Sequence, residues 1–405
     1  MSVSDVYKLR LETIVSGGDA IGKFDGKTVF VEGGAPDEIV TCRITEDRGT
    51  WAKGELLEII ESSPARVKPA CEFYFKCGGC NLQHIDYDAQ LKIKENILKD
   101  SLLRIGGIDP AQLKQRLQTE VFSSPPFEYR NRMQFHCMRE LAKNSDKRKC
   151  GLKGRKSSEI AAVTDCPVAV CEIREKIKSS SFVLPVEKDR FTVFSKDTVF
   201  LSEGDRQRGK IKLLDKEITV DAGMFFQSNC VMLEKLITEL REIAQDAVNK
   251  AGADTAMADL YCGVGTYALF LSDLFPKIIL AEENKNAVSL ARENLKGIDA
   301  EYFALRDIDW QKTIFKEQIT KNKEQRNNKL GFAVVDPPRA GLAQKLAVTL
   351  AQSEIPVIAY VSCDPASLAR DAKILINGGY DLTALKLFDF YPQTSHIECL
   401  AVFER

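Results

Sequence analysis

The chain lacks long hydrophobic runs, an excess of charge of one sign, and any internal repeat or low-complexity segment. No stretch of about 18 consecutive apolar residues occurs, and residues 1–8 contain no apolar core of a signal peptide. These absences predict a cytoplasmic protein with no membrane partner. The formal net charge of -1 gives no global signature of nucleic-acid binding.

The chain does contain enough apolar sequence for several hydrophobic cores. Its 405 residues predict two or three domains, and 44% of the residues are hydrophobic. Twelve cysteines are also present. Since cytosolic thiols stay reduced, we interpret clusters of cysteines as metal or redox sites rather than as disulfides.

Residues 5–61 alternate apolar and polar positions in short bursts that are broken by glycine pairs at 17–18 and 33–34. Short strands at this spacing predict a small closed β-barrel. Ser62, Ser63 and Pro64 mark its end. Composition alone leaves RNA binding and an unassigned β domain as equal alternatives.

Three cysteines, Cys71, Cys77 and Cys80, lie close together, with glycines between the last two. Such spacing lets several thiolates converge on one ion or cluster, because glycine allows the backbone to fold around the centre. Zinc and an iron–sulfur cluster both accept four thiolates, so this chemistry leaves both open.

From about residue 216 the pattern changes to alternating strands and helices, which predicts a parallel sheet wrapped by helices. A strand at 256–261 runs into a glycine turn at Gly263 and Gly265, and a second strand ends at Glu282. The carboxylate of Glu282 would accept both hydroxyls of a ribose. The glycine turn fits NAD as well as S-adenosylmethionine.

Cys363 directly follows a short apolar strand at 356–361. In open α/β sheets the ligand crevice lies beyond the carboxyl ends of the strands, so this position predicts a nucleophile. Another strand ends in the run Asp336-Pro337-Pro338-Arg339. Arg339 stands where enzymes that methylate exocyclic amines usually carry an aromatic residue, which argues against amine methylation.

Together, the runs at 259–266, 336–339, 362–365 and 396–398 make the chain resemble the RNA uridine-5-methyltransferases that use S-adenosylmethionine. The order of glycines and acids at 17–38 is similar to the TRAM domain, an OB-like barrel that binds RNA. The resemblance runs almost end to end. It implies an α/β plus β protein in three parts: a TRAM barrel at 1–62, a central β domain with a 4Fe-4S cluster at 63–215, and a Rossmann-like methyltransferase domain at 216–405.

The same resemblance implies roles for individual residues. Cys363 would add to carbon 6 of uracil, and Glu398 would remove the proton from carbon 5. The implied cluster ligands are Cys71, Cys77, Cys80 and Cys166. The implied contacts to S-adenosylmethionine are Gln227, Tyr261, Gly263, Gly265, Thr266, Glu282, Asp307 and Asp336.

RNA is the partner that the resemblance implies, and we expect a monomer. Ten Lys or Arg against two acids between residues 130 and 156 form a patch able to follow phosphates. Relatives with both a TRAM barrel and a cluster mostly act on large-subunit ribosomal RNA, so 23S ribosomal RNA is the expected substrate. Uridine 54 of tRNA is the alternative. A further alternative, from a different class, is an RNA-binding iron–sulfur oxidoreductase that binds NAD at the glycine turn.

Overall fold

A computed structural model of the chain describes residues 3–109, 120–138, 149–185, 188–314 and 330–405. Four of the ten lysines and arginines of the predicted basic patch fall at 139–148, outside these ranges. Within the described ranges, no helix has both the length and the apolar character needed to cross a membrane.

Five strands near the start of the chain close into a barrel. They are β1 (Val6–Ile14), β2 (Ala20–Phe24), β3 (Lys27–Val31), β4 (Ile39–Asp47) and β5 (Trp51–Glu61). β1 pairs with β2 on one side and with β4 on the other, which closes the barrel. Alternate side chains of β1, such as Leu9 and Leu11, fill the interior, as a strand period of two requires. The predicted small barrel is confirmed.

The middle of the chain forms an antiparallel sheet around an aromatic core. Its strands are β7 (Arg132–Met138), β8 (Lys149–Lys153), β9 (Ile160–Ala161), β10 (Arg190–Lys196) and β11 (Val199–Ser202), in the order β11-β10-β7-β8-β9. Phe135 and Phe191 stack across β7 and β10 with ring centroids 5.6 Å apart. Both rings are almost fully buried, so this sheet has a core of its own.

An eight-stranded sheet dominates the rest of the molecule. Its strands are β6 (Glu120–Phe122), β14 (Ala256–Leu260), β15 (Ile278–Glu282), β16 (Ala300–Ala304), β17 (Leu330–Val335), β18 (Val357–Ser362), β19 (Asp381–Phe388) and β20 (Glu398–Glu404). The order is β16-β15-β14-β17-β18-β20-β19-β6, and β14 to β18 run parallel. A separate hairpin of β12 (Arg208–Leu213) and β13 (Lys216–Asp221) precedes β14 in the chain. The strand order reverses between β14 and β17, where a ligand crevice is expected.

Helices cover both faces of this sheet. The helices described in the chain are α1 (Tyr87–Arg104), α2 (Cys171–Lys178), α3 (Cys230–Ala251), α4 (Thr266–Leu271), α5 (Lys285–Asn294), α6 (Asp307–Thr313), α7 (Gln344–Gln352) and α8 (Pro365–Asn377). Of these, α2 packs against β10 of the central sheet instead. Neighbouring residues of β14 enter different cores: Ala258 packs with α1, α7 and α8, and Met257 with α3 and α4. The predicted parallel sheet wrapped by helices is therefore present.

Two elements that precede residue 216 pack with the large sheet. β6 pairs in parallel with β19, with Glu120 opposite Lys386, and α1 packs against α8. Lys94 of α1 donates to Asp389 Oδ1 at 2.5 Å, and both side chains are fully buried. In three dimensions these elements lie with the 216–405 part of the chain.

Candidate active site and cysteine site

Cys363 lies at the junction between β18 and α8. Asp364 caps α8 by accepting from the backbone N–H of Ser367 at 2.8 Å, and Pro365 occupies the first turn, where its missing N–H costs nothing. The half-buried Cys363 is therefore held at the carboxyl end of a buried parallel strand. It faces a cavity of about 770 Å³, which we call the active-site cavity.

The active-site cavity brings together most of the residues that the sequence predicts for catalysis and cofactor binding. Those that line it are Gln227, Tyr261, Gly263, Glu282, Asp307, Asp336, Cys363 and Glu398. Thr266 lines a smaller adjoining pocket of about 40 Å³. Gly265 lines neither cavity. Its role in the structure is steric, because a Cβ there would lie 2.6 Å from Leu295 Cδ1.

The glycine turn after β14 leaves room for a ligand next to the backbone. Tyr261, Gly263 and Gly265 all have positive φ, at 62°, 52° and 80°. For Tyr261, which has a Cβ, this conformation is strained, and such strain clusters at ligand sites. A Cβ on Gly263 would meet no atom within 4 Å, so its open side faces the cavity.

Hydrogen bonds fix two of the predicted cofactor carboxylates at the rim of the cavity. Glu282 accepts from the backbone N–H groups of Gly263 at 3.3 Å and of Asn284 at 2.8 Å. Asp307 accepts from the Tyr261 hydroxyl at 2.9 Å. The fold brings Asp307, which the resemblance implied as a cofactor contact, to the same cavity as Glu282.

Cys363 shares the cavity with two carboxyl groups that disfavour its ionisation. Burial raises the pKa of the Cys363 thiol to about 12; Glu398 and Asp336 act in the same direction, and Arg339 lowers it. Burial likewise raises the pKa of Asp336 to about 7. The pKa of Glu398 lies well above its usual range because the group is buried and faces Asp336. In the ligand-free protein the thiol is therefore protonated at neutral pH.

Buried polar atoms without a hydrogen-bond partner concentrate at this cavity. Among the described residues, five buried side-chain atoms lack a partner, and three belong to cavity-lining residues: Arg132 Nε, Gln227 Oε1 and Glu398 Oε1. An unsatisfied buried polar atom in a folded protein calls for an explanation. Here it means that the cavity presents one donor and two acceptors to whatever enters it.

The active-site cavity also contains residues that sequence reasoning missed or left without a role. Tyr391 and His396 line the cavity beside Cys363 and Glu398. Burial lowers the pKa of His396 to about 4, with Arg339 and Arg130 acting in the same direction, so its ring is neutral. Arg339 Nη2 lies 3.3 Å from His396 Nδ1. Tyr391 gave no sequence signal, since it stands in an irregular connection.

The four predicted cluster ligands surround a second cavity of about 720 Å³, which we call the cysteine cavity. Cys71, Cys77, Cys80 and Cys166 all line it. The backbone N–H of Gly79 donates to Cys77 Sγ at 3.4 Å. Residues Gly78, Gly79 and Arg130 line both cavities, so the cysteine cavity adjoins the active-site cavity.

The four thiols of the cysteine cavity affect one another's ionisation. No three of the described His, Cys, Asp or Glu side chains are arranged to hold one metal ion, as a tetrahedral zinc site with bonds of about 2.3 Å would require. Burial raises the pKa of Cys80 to about 11 and of Cys166 to about 12, and the neighbouring thiols add to both shifts. The four thiols therefore lie close enough for each to act electrostatically on at least one other.

Comparison with known proteins identifies two regions of the chain. Residues 194–405 match the family model described as tRNA (Uracil-5-)-methyltransferase. Residues 3–57 match the TRAM domain.

Whole-chain relatives agree with these matches. An uncharacterized RNA methyltransferase of Treponema denticola is 33% identical, and the match covers 98% of both chains. The 23S rRNA (uracil(1939)-C(5))-methyltransferase RlmD of Shewanella halifaxensis is 27% identical, over 99% of this chain and 96% of its own.

Among solved structures, the Pyrococcus abyssi tRNA (uracil-54, C5)-methyltransferase in complex with S-adenosyl-L-homocysteine has a similar fold. The TM-score is 0.70 at 22% identity, and the match covers 98% of this chain and 100% of the other. The three parts of the chain therefore follow an architecture that a solved protein also has.

Proposed function

The chain belongs to the RNA uracil-5-methyltransferase family, and we propose that it methylates carbon 5 of a uridine in 23S ribosomal RNA through a bond between Cys363 and uracil carbon 6. The methyl donor is S-adenosylmethionine. One observation carries the proposal: a half-buried thiol and a buried carboxyl with an unpartnered oxygen, Glu398 Oε1, line one cavity with the glycine turn and Glu282.

The first step is addition of the thiolate to carbon 6, because carbon 5 of uracil is by itself a poor nucleophile. The S–C6 bond forms and leaves an enolate, whose carbon 5 attacks the methyl group of the sulfonium and releases S-adenosylhomocysteine. A thiolate suits this role since it is strongly nucleophilic and leaves readily. Arg339 favours the thiolate, and the cationic sulfonium brings a further positive charge into the same cavity.

The second step removes the carbon 5 proton and expels the thiolate, which restores the C5–C6 double bond. A general base needs a pKa high enough to accept this proton and an oxygen within reach. The raised pKa of Glu398 meets the first requirement, because it makes the ionised carboxylate a stronger base than a free one. Its unpartnered Oε1 meets the second.

Binding of S-adenosylmethionine is assigned to the glycine-turn side of the cavity. Glu282 lies at the end of β15, where its carboxylate accepts the ribose hydroxyls. The open side of Gly263 allows the cofactor to approach the backbone. Gln227 Oε1, which has no partner among the described residues, accepts from a donor group of the ligand.

We assign the cysteine cavity to a 4Fe-4S cluster held by Cys71, Cys77, Cys80 and Cys166. Its support is that all four thiols line one cavity and act on one another's pKa values. Thiolate ligation would remove the protons that burial now holds on these sulfurs. No step of methyl transfer is routed through the cluster.

The preference for 23S ribosomal RNA rests on the relatives. RlmD proteins that act on 23S rRNA are 27% and 28% identical over nearly the whole chain. A tRNA substrate is the second candidate, because the matching family model is described by tRNA. In either RNA the uridine must leave the base stack, since both faces of its ring are needed.

Transfer of a tritiated methyl group tests the activity and its substrate. We expect label from S-adenosylmethionine to enter 23S ribosomal RNA from a strain that lacks this protein, and mass mapping to place it on a uridine. Label in tRNA alone would select the second candidate. Binding of NADH without methyl transfer would overturn the function.

RNA that carries 5-fluorouridine tests the two catalytic roles. The wild-type protein should form an adduct stable in denaturing gels, because fluorine cannot leave carbon 5 as a cation. Cys363→Ala should form none, whereas the exposed-cysteine control Cys171→Ala should behave as wild type. Glu398→Gln should accumulate a methylated adduct on normal RNA. If Cys363→Ala still forms the adduct, Cys363 is not the nucleophile, and Cys262 or Cys399 must be tested instead.

Iron analysis of anaerobically purified protein tests the cluster. We expect brown protein with about four irons per chain. Cys166→Ala should lose iron, and Cys171→Ala, whose exposed thiol lies nearby in sequence, should keep it. Stoichiometric zinc without iron would refute the assignment.

A further inference from the structure

Residues 389–397, which we call the catalytic loop, connect β19 to β20 and end next to Glu398. Tyr391, His396 and Ile397 of this loop line the active-site cavity. The position of the loop therefore determines one wall of the cavity and the approach to the proposed base.

Asn81 holds the catalytic loop from outside the large sheet. Its backbone N–H donates to Gln393 O at 3.1 Å, and its side-chain Oδ1 accepts from the backbone N–H of Ser395 at 2.8 Å. Its Nδ2 donates to Ser395 Oγ at 3.0 Å and to Gly17 O, in the barrel, at 2.8 Å. One side chain thus joins the barrel to the catalytic loop, and it directly follows Cys80.

The loop conformation depends on such external bonds. Gln393 has a φ of 67°, a left-handed value that costs a residue with a Cβ about 1 kcal/mol or more. The Gln90 side chain of α1 exchanges two hydrogen bonds with Gln393, at 2.9 Å and 3.0 Å. Leu82 N–H also donates to Gln393 O at 2.9 Å. The strained residue is fixed by the segment that follows Cys80.

The barrel closes directly over Asn81. Gly18, with a φ of 90°, approaches so closely that a Cβ there would lie 2.3 Å from Asn81 Nδ2. The Asn81 amide is therefore confined between the barrel turn and the catalytic loop. A displacement of residues 80–82 must move one or both of them.

We propose that Asn81 is a positioning residue that couples the cysteine site and the barrel to the catalytic loop, so that Glu398 is correctly placed only when the Cys80 segment is fixed. This rests on the proposed function of Glu398 and Cys363. It gives the cysteine site a mechanical role in the reaction without any electron transfer.

The coupling should act on one step of the reaction and spare the other. Cys363 is held by different bonds, those of Ser362 and the Asp364 cap at the start of α8. Loss of the Asn81 contacts should therefore leave addition to carbon 6 intact and slow removal of the carbon 5 proton. Misplacement of a catalytic group by about 1 Å can cost a factor of up to about a hundred.

The test is Asn81→Ala, with Asn249→Ala, an exposed asparagine on α3, as the matched control. With fluorouridine RNA, Asn81→Ala should form the adduct at the wild-type rate. With normal RNA it should release methylated product about tenfold more slowly, and a covalent intermediate should accumulate. Metal content and thermal midpoint should match those of the control.

Hydrogen exchange gives a readout that does not depend on activity, because the Ser395 amide proton is itself bonded to Asn81. Its protection should be high in the metal-loaded wild type and should fall on metal removal. In Asn81→Ala it should be low in both states.

Wild-type release and wild-type exchange in Asn81→Ala would overturn the proposal, as would equal slowing of adduct formation and release. If the exchange rate of the Ser395 amide in the wild type does not change on metal removal, the catalytic loop is not coupled to the cysteine site. If the wild-type protein forms no adduct, the proposed function is refuted. The hydrogen-exchange result would still test the coupling, because it does not depend on activity.

Discussion

At the residue scale, the environment of Cys363, the proposed nucleophile, keeps its thiol protonated. The thiol is buried beside Glu398 and Asp336, and its pKa rises to about 12. An ordinary cysteine has a pKa near 8.5 and carries a few per cent thiolate at pH 7. The free protein is thereby protected from reaction with the wrong electrophile until its ligands supply positive charge.

Alkylation of Cys363 by iodoacetamide should show this protection. Since its pKa is about 12, the thiolate fraction and the rate should rise about tenfold per pH unit from pH 7 to 9 without a plateau. Glu398→Gln should react faster at each pH because a carboxyl that raises the thiol pKa is gone. Peptide mass mapping distinguishes Cys363 from the exposed control thiol Cys171. A plateau below pH 9 would contradict the raised pKa.

At the scale of elements, α1 docks to the large sheet through a buried charge pair. Lys94 donates to Asp389 Oδ1 at 2.5 Å and to Tyr391 O at 3.0 Å. Breaking a buried pair by removing one partner leaves an uncompensated charge, which is strongly destabilising. The helix therefore fixes the start of the catalytic loop, as Gln90 fixes its middle.

Lys94→Met should lower the free energy of unfolding by about 3–5 kcal/mol, because it leaves Asp389 buried and unpaired. Adding Asp389→Leu should recover most of that loss, since two apolar side chains then replace the pair. Lys92→Met, at an exposed position of the same helix, is the control. Urea denaturation measures all three. A double variant no more stable than Lys94→Met would show that the charge pair is not the cause.

The sequence predicted those elements whose signals are local. Strand alternation with glycine turns indicated the barrel, and a thiol after an apolar strand indicated the position of Cys363. It could not predict the buried face of α1, because Lys94 and Gln90 look like exposed residues until their distant partners are known. β6 has three residues and no periodicity to detect. Tyr391 lies in an irregular connection, so no pattern marked it.

At the scale of the whole molecule, charge is nearly balanced, so RNA affinity must depend on a few local cations. Arg132 lines the active-site cavity with an Nε that has no partner among the described residues. A phosphate group of bound RNA would supply one. Each phosphate contact releases counterions and adds to the salt dependence of binding.

Arg132→Gln should weaken RNA binding and reduce the slope of log affinity against log salt by about 0.7 to 0.9, the contribution of one phosphate contact. Arg241→Gln on α3, where the arginine already pairs with Asp273, should leave the slope unchanged. Filter binding over a range of salt concentrations measures both. Equal slopes for the two variants would indicate that Arg132 meets no phosphate.

The pairing of β6 with β19 sets an order in time for assembly of the protein. Glu120 lies opposite Lys386, and Asn81 bonds to Ser395, so early residues wait for partners synthesised much later. During translation the segment after Cys80 can bond to the barrel through Gly17, but its bonds to Ser395 and the pairing of the edge strand β6 must wait until residues 381–404 emerge. Long-range pairing of this kind slows folding and prolongs the exposure of unpaired strand edges. The newly made chain is therefore most vulnerable to aggregation and to thiol oxidation in the interval before its last strands join the sheet.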